Sequence, residues 1–414
     1  MRKVSLLSLL LLVIVLVTAS VALAQDQVTI NVWGHGSSPA EDEALNAAIA
    51  AFEEANPDVN VELLISADYG TQLQTAFASG TYPQAFYVGQ SDLANYVNAG
   101  VMAAGDDNIE NPEGIYESLR NTFTLNGTLW CPAKDFSNLA LEYNTDLFDA
   151  AGVDYPTADW TWDDLRAAAQ ALVDSGTLPE GTVPLALNAE IDRWFAFYVQ
   201  AGGTFYDEEG NWVFGSEGAN HDAAVQAMDV YINLHLDGLS ASSSDLGQGW
   251  PGESFGQGKA AMTMEGNWII GYLNDQFPDL NWGAVELPAG PAGEGTLTFS
   301  ECWGVGAENP HPEQTWRFVN FLTGEDGAMR TASEGFGGMP PRVAAADAWV
   351  EAVGDVAPAF INGSANAVAP VTPPGFGTFR DELNSGIALA FEGTLLAEDV
   401  INQAVAVSDE LANE

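Results

Sequence analysis

Three consecutive segments near the start of the chain constrain the fold most. VTINVW (28–33) alternates apolar and polar residues, as a half-buried strand does. SSPAEDEALNAAIAAFEEANPDV then places Leu45, Ile49 and Phe52 at i, i+4 and i+7, the spacing of one helix face. Ser37 or Ser38 offers an N-cap, Pro39 suits the first turn, and Pro57 ends the helix. VNVELL alternates as a second strand. Strand, helix, strand in this order makes a β-α-β unit and a parallel sheet, so the fold class is α/β. YGTQLQTAFASG and QAFYVG read as the next helix and strand.

The same grammar continues downstream. TWDDLRAAAQALVDSG opens with Thr161 and Asp164 in capping-box spacing, although that box favours Glu or Gln at the second position. HDAAVQAMDVYINLHLDG puts Val225, Met228 and Ile232 on one face. PHPEQTWRFVNFLTGEDG is a helix opened by proline and closed by glycine. The last 35 residues read as two helices. SASSSDLGQGW and LPAGPAGEG mark loops. The 414 residues suffice for two domains. No repeat, low-complexity tract or single linker divides the chain, so two lobes would be crossed more than once.

The extreme N-terminus reads differently. MRK is a basic n-region, LLSLLLLVIVLV an apolar h-region, and Ala22 to Ala24 a small-residue cleavage site. Residues 1–24 are therefore expected to be a signal peptide cut after Ala24; an uncleaved anchor is the alternative. No cysteine follows for a lipid anchor, and no later run is long enough to span a bilayer. The chain carries 58 Asp+Glu against 11 Lys+Arg, a net charge of −47. Such a surface repels nucleic acid and anionic lipid, and disfavours anionic ligands. The acids are scattered, which suits adaptation to high salt or to low pH. Two cysteines, Cys131 and Cys302, favour one disulfide in an exported chain, and the four spread histidines do not suggest zinc. No metal or cofactor is expected.

Several segments, in order, resemble the extracellular solute-binding proteins of ABC importers, in the carbohydrate-binding group that includes maltose-binding protein. They are INVWGHGSSPAEDEALNAAIAAFEEANPDVNVEL; LALEYNTDLFDAAGV followed by WTWDDLRAAA; FGQGKAAMTMEGNW; and ECWGVGAENPHPEQTWRFVNFLTGEDG leading to GMPPR. The resemblance covers most of the mature chain. It implies two α/β lobes joined by crossover strands, with the ligand held between them and the lobes closing by a hinge motion. The expected lobes are 25–137 with 303–345, and 138–302 with 346–414. Permease subunits would recognise the loaded form, and a monomer is expected. Tyr143 and Asn144, in YN.DLF, are expected to be structural. Cys131 precedes the first crossover and Cys302 lies at the second, so the resemblance implies a bond between them; two buried thiols are the alternative.

A sugar offers apolar C–H faces and a rim of hydroxyls, which call for aromatic rings and for polar side chains. Ligands of open α/β sheets sit beyond the carboxyl ends of strands. Trp268, emerging where GKAAMTMEG turns into a helix, is the foremost stacking candidate; a core tryptophan is the other reading. His35, Ser37 and Ser38 follow the first strand, and Tyr69 stands at a lobe edge or in simple packing. Gln90, Ser91 and Asp92 follow QAFYV, with Asp92 also readable as an N-cap. Trp130, Lys134 and Asp135 precede the first crossover; the last two bind hydroxyls or pair with each other. Glu190, Arg193 and Trp194 open a helix as a polyol-binding cluster or as a surface ion pair. Glu301 and Trp303 carry the same two readings, and Arg342 and Phe376 complete the set.

Rival functions use the same residues. A secreted glycosidase needs two carboxylates, but 58 acids supply such pairs at any separation. No G-x-S-x-G, H-E-x-x-H or C-x-x-C occurs, and FGQGKA lacks the spacing of a phosphate loop. A polyamine binder on the same scaffold also combines aromatics with acids.

Overall fold

The strands predicted at the N-terminus form as β1 (Val28–Gly34), β2 (Val59–Ile65) and β3 (Ala85–Gly89), with β1 parallel to both neighbours. The helices Pro39–Ala55 and Tyr69–Ser79 make the crossovers. The computed structural model describes residues 27–36, 39–207, 212–334, 338–368, 373 and 375–411. Residues 1–24, expected to be a signal peptide, and Ser37 and Ser38 lie outside the described residues. Among the described residues no helix is long and apolar enough to cross a membrane.

The main sheet continues with β4 (Ala133–Asn144), β5 (Val183–Ala186), β6 (Ser240–Ala241), β7 (Ala260–Gly266), β8 (Trp282–Val285), β9 (Thr296–Val305) and β10 (Ala367–Val368). The spatial order is β2-β1-β3-β9-β4-β7-β5-β6, with β8 on β4 and β10 on β9. Two long strands, β4 and β9, thus sit mid-sheet and join a parallel N-terminal half to a parallel β7-β5-β6 half. β4 changes partner along its length. Residues from Ala133 to Asn138 pair antiparallel with β9, and Leu139 to Tyr143 pair antiparallel with β7. Asn138 stands at the change of partner and is fully buried. Its amide donates to the Phe360 carbonyl at 3.1 Å and the Ser364 hydroxyl at 2.6 Å, and accepts from Thr298 Oγ1 at 2.8 Å. A buried amide is tolerated only when satisfied in this way.

The apolar interior forms two clusters. One gathers Ile30, Val32, Phe52, Phe86, Phe123, Phe318 and their neighbours. The other gathers Leu165, Leu172, Phe197, Met228, Tyr231, Leu383 and Ile401. Trp349, Ala357 and Phe360, expected with the second lobe, belong to the first cluster, as do Ile269, Ile270 and Leu273. The predicted Thr161–Asp164 capping box is present, with Thr161 Oγ1 accepting the Asp164 N–H and the Asp164 carboxylate accepting the Thr161 N–H. Aspartate serves here because its carboxylate reaches the cap amide at 2.8 Å. Tyr143 and Asn144 are structural: the Tyr143 ring packs edge-on against Phe148, and Asn144 caps the following helix by accepting the Leu147 N–H.

Cys131 and Cys302 form a disulfide with Cα atoms 5.6 Å apart. It ties the entry of β4 to β9, both within the first cluster. The bond closes a loop with a sequence separation of 171 residues, which restricts the unfolded chain strongly. Replacing both cysteines by serine is expected to cost about 2–4 kcal/mol in guanidinium unfolding. With 58 acids and 11 basic residues, most carboxylates have no cationic partner. Raising NaCl from 0.05 M to about 1 M is therefore expected to raise the melting temperature, as counterions screen like-charge repulsion.

Candidate ligand-binding cleft

A cleft of about 620 Å³ opens between the two halves of the sheet. One wall comes from the strand ends β1, β3, β4 and β9, and carries His35, Gln90, Ser91, Lys134, Asp135 and Glu301. The facing wall carries Trp268, Trp250, Tyr272, Phe195, Phe299 and Phe376. The cleft thus has a charged polar side and an aromatic side.

A register break builds the polar side. On β9, Glu301 faces Asp135 while Cys302 faces Ala133, so Lys134 is the extra residue of a bulge on β4. Bulges re-aim side chains, and here the ammonium meets three groups. Lys134 Nζ donates to Glu41 Oε1 at 2.7 Å and to Asp135 Oδ2 at 2.5 Å, and lies 4.9 Å from the Tyr87 ring centroid. Burial would lower the Lys134 pKa, but Asp135 and Glu41 outweigh it and raise it, so the lysine stays charged. Burial raises the Asp135 carboxyl more than Lys134 lowers it, because one ammonium is shared between two carboxylates. His35 Nε2 lies 2.8 Å from Glu301 Oε1. That hydrogen bond raises the histidine pKa against the opposing effect of burial. Burial would raise Glu301, yet the bond to His35 and the charge of Lys134 prevail and lower it.

Trp268 begins the helix Trp268–Gln276 just after β7, and the half-buried residue lines the cleft. A Cβ on Gly266 would lie 2.2 Å from the Trp268 ring, so only glycine lets the indole fold back over the strand end. Phe299 meets the ring edge-on at 5.5 Å between centroids. Trp250 and Tyr272 form a second edge-on pair at 4.9 Å.

The other sequence candidates fall elsewhere or are held by other bonds, for identifiable reasons. Trp194 is fully buried and stacks on Tyr198 at 5.8 Å, because Ile191, Trp194 and Tyr198 make the inner face of their helix. Trp303 is also a core residue, 4.5 Å from Tyr87 between ring centroids. Arg342 is 1% exposed and spends its guanidinium on the carbonyls of Thr323, Asn111 and Glu110 at 2.5, 2.8 and 2.9 Å. Trp130 packs on the first cluster and donates its N–H to the Leu125 carbonyl at 3.2 Å. Tyr69 supports His35 from behind, its hydroxyl donating to the Tyr87 carbonyl at 2.6 Å. Asp92 sits behind Gln90 and Ser91, where burial raises its pKa; as N-cap residue it makes no side-chain cap bond. Gln90 reaches the cleft, but its amide is held by β9, donating to the Thr298 carbonyl and accepting the Ser300 N–H. Glu190 lines a separate depression beside His235 and Asp245. Arg193 stands behind Trp268, on Glu265.

Thirteen lining residues escaped the sequence reading, among them Glu41, Asp192, Phe195, Trp250, Tyr272, Phe299 and Arg380. Helical and strand periodicity from the candidates that line the cleft would have found three. Tyr272 is four residues after Trp268, Arg380 four after Phe376, and Phe299 two before Glu301. Among the described residues no cluster of three or more His, Cys, Asp or Glu could hold a metal.

The His35–Glu301 pair gives a pH signature. Because the folded pKa of His35 is raised above 6.5, the pair's stabilisation is complete below the unfolded value and is lost as pH rises through the folded one. NMR titration of the imidazole should report a midpoint above 6.5. Glu301→Gln should bring that midpoint down, since burial then acts without its main opponent, the Glu301 carboxylate.

Comparison with known proteins agrees with this geometry. The sequence profile of the bacterial extracellular solute-binding protein family matches residues 36–329. A putative binding protein of Brucella abortus is 26% identical over 293 residues, covering 69% of this chain and 70% of that one. The multiple sugar-binding protein of Streptococcus mutans is 22% identical over 317 residues, 72% of each chain. Among solved structures, an ABC substrate-binding protein of Listeria monocytogenes in complex with cycloalternan superposes with a TM-score of 0.83 at 25% identity, covering 93% of this chain and 99% of that one. A maltose-bound T. maritima protein gives 0.79 at 20% identity, covering 93% and 100%. With its profile match spanning most of its length, this chain belongs to the bacterial extracellular solute-binding proteins.

Proposed function

We propose that this protein is exported, its signal peptide cut after Ala24, and that it captures an uncharged mono- or oligosaccharide between its lobes for delivery to the permease subunits of an ABC importer. It acts as a monomer, without a cofactor, and does not turn its ligand over. The observation that carries this reading is the pairing of an aromatic wall with a wall of carboxylates around a charged lysine, in one cleft. Rings cover the apolar faces of a sugar, and acids accept its hydroxyl protons. Closure follows bending of β4 and β9, the strands that join the halves. By resemblance the lobes run 25–137 with 303–345, and 138–302 with 346–414, with the stretches around 269–273 and 349–360 packing on the core of the first lobe. The relatives support the substrate class: one is named for multiple sugars, another for erythritol and L-threitol, and the Listeria structure holds cycloalternan.

A second reading, a polyamine, draws on the four acids Glu41, Asp135, Asp192 and Glu301 that line the cleft. Lys134 and Arg380 line it too and oppose a cation. Thermal-shift screening against neutral oligosaccharides, polyamines and phosphate esters separates the two. A neutral saccharide is expected to give the largest shift, and spermidine in its place would overturn the proposal. Trp268→Ala is expected to weaken saccharide binding at least tenfold in calorimetry, about 1.4 kcal/mol or more.

A further inference from the structure

Two charged side chains stand behind Trp268 without lining the cleft. Glu265, on β7, is fully buried. Its Oε2 accepts the Trp268 indole N–H at 2.8 Å and an Arg193 Nη2 proton at 2.6 Å. Arg193 reaches this point from the helix Ile191–Gln200, and its Nε donates to the Met264 carbonyl at 3.3 Å. The guanidinium carbon lies 5.6 Å from the Trp268 ring centroid, and Glu190 Oε1 stands 3.9 Å from Nη1. The strand holds Glu265 in turn, since its backbone N–H donates to Glu142 Oε2 at 2.9 Å on the neighbouring β4.

A buried ion pair is an expensive way to fill an interior that apolar residues could pack. Here both donors converge on one carboxylate oxygen, and one of them is the indole. An indole on the first turn of a helix has two free torsions. A hydrogen bond to Nε1 and a guanidinium over the ring remove that freedom before any ligand arrives, and ordering in advance lowers the cost of binding.

We infer that Glu265 and Arg193 are positioning residues that lock the Trp268 ring in its cleft-facing orientation without contacting ligand themselves. The inference rests on Trp268 serving as the stacking platform proposed above. It also gives Arg193, expected to contact ligand, a different part to play. Glu265→Gln keeps an acceptor for the indole but removes the charge that holds Arg193. Arg193→Met removes the guanidinium and keeps its bulk, and Arg193→Lys restores a charge without the planar fork.

The test uses the mature full-length protein with ¹⁵N-labelled tryptophan. The Trp268 indole signal is the one missing in Trp268→Phe. In Arg193→Met and Glu265→Gln that signal is expected to shift, and its N–H to exchange with solvent at least tenfold faster in Arg193→Met, while the other 11 tryptophan signals stay in place. Affinity for maltotetraose, measured by calorimetry, is expected to fall tenfold in Arg193→Met and to recover in part in Arg193→Lys. An unmoved Trp268 signal with unchanged exchange in both variants would overturn the inference. So would wild-type maltotetraose affinity in both variants when Trp268→Ala loses binding, and the stacking platform would then survive. Wild-type affinity in Trp268→Ala together with a displaced indole signal would instead remove the platform and leave the lock. Should Arg193→Met fail to fold, Arg193→Lys and Glu265→Gln carry the same readouts.

Discussion

The antiparallel ladder between β4 and β9 is the interaction on which the rest of the molecule depends. It is the seam where a sheet with N-terminal partners becomes a sheet with partners from the middle of the chain. Asn138 marks the seam on β4, bonded to Phe360, Ser364 and Thr298. One bulge in the ladder directs Lys134 toward Glu41 and Asp135. Moving the register by one residue would exchange the cleft and core faces of a strand. The polar wall would then disperse. Fold and site therefore share one determinant, the pairing of two strands that are far apart in sequence.

The electrostatics of the cleft run against those of the surface. A chain of net charge −47 keeps a half-buried lysine at the heart of its candidate site. Its neighbours there are carboxylates, so the local group stays acceptor-rich while its charge is partly balanced. An uncharged donor such as a hydroxyl suits that balance better than an anion, which the surrounding field repels. Arg193 and Arg342 serve inside as well, one on Glu265 and the other on backbone carbonyls. Three of the scarce cations, Lys134, Arg193 and Arg342, are thus spent on interior structure.

Much of the fold was legible in sequence because local rules and tertiary demands agree there. Alternation marked β1 and β2, the Thr161 cap opened its helix, and Gly266 marked the turn from which Trp268 emerges. The disulfide pairing came from family resemblance rather than from spacing. Reading failed where rotation about a helix axis decides the outcome. In EIDRWF, Trp194 looked outward by its chemistry, yet Ile191, Trp194 and Tyr198 share the inner face, and Asp192 and Phe195 line the cleft instead. Arg342 was illegible for another reason. Its partners are carbonyls 19 to 232 residues away, and backbone acceptors leave no trace in side-chain chemistry.

The Cys131–Cys302 bond also bears on how the chain is assembled. Between its ends lie β5, β6, β7 and β8, most of the second half-sheet. The first cluster cannot close until Cys302, Trp303 and Phe318 are available, since all three belong to it. A chain synthesised from its N-terminus therefore holds an unfinished first half while the second is being made. Thiol oxidation becomes a late event, sealing the molecule only after the intervening strands have been laid down.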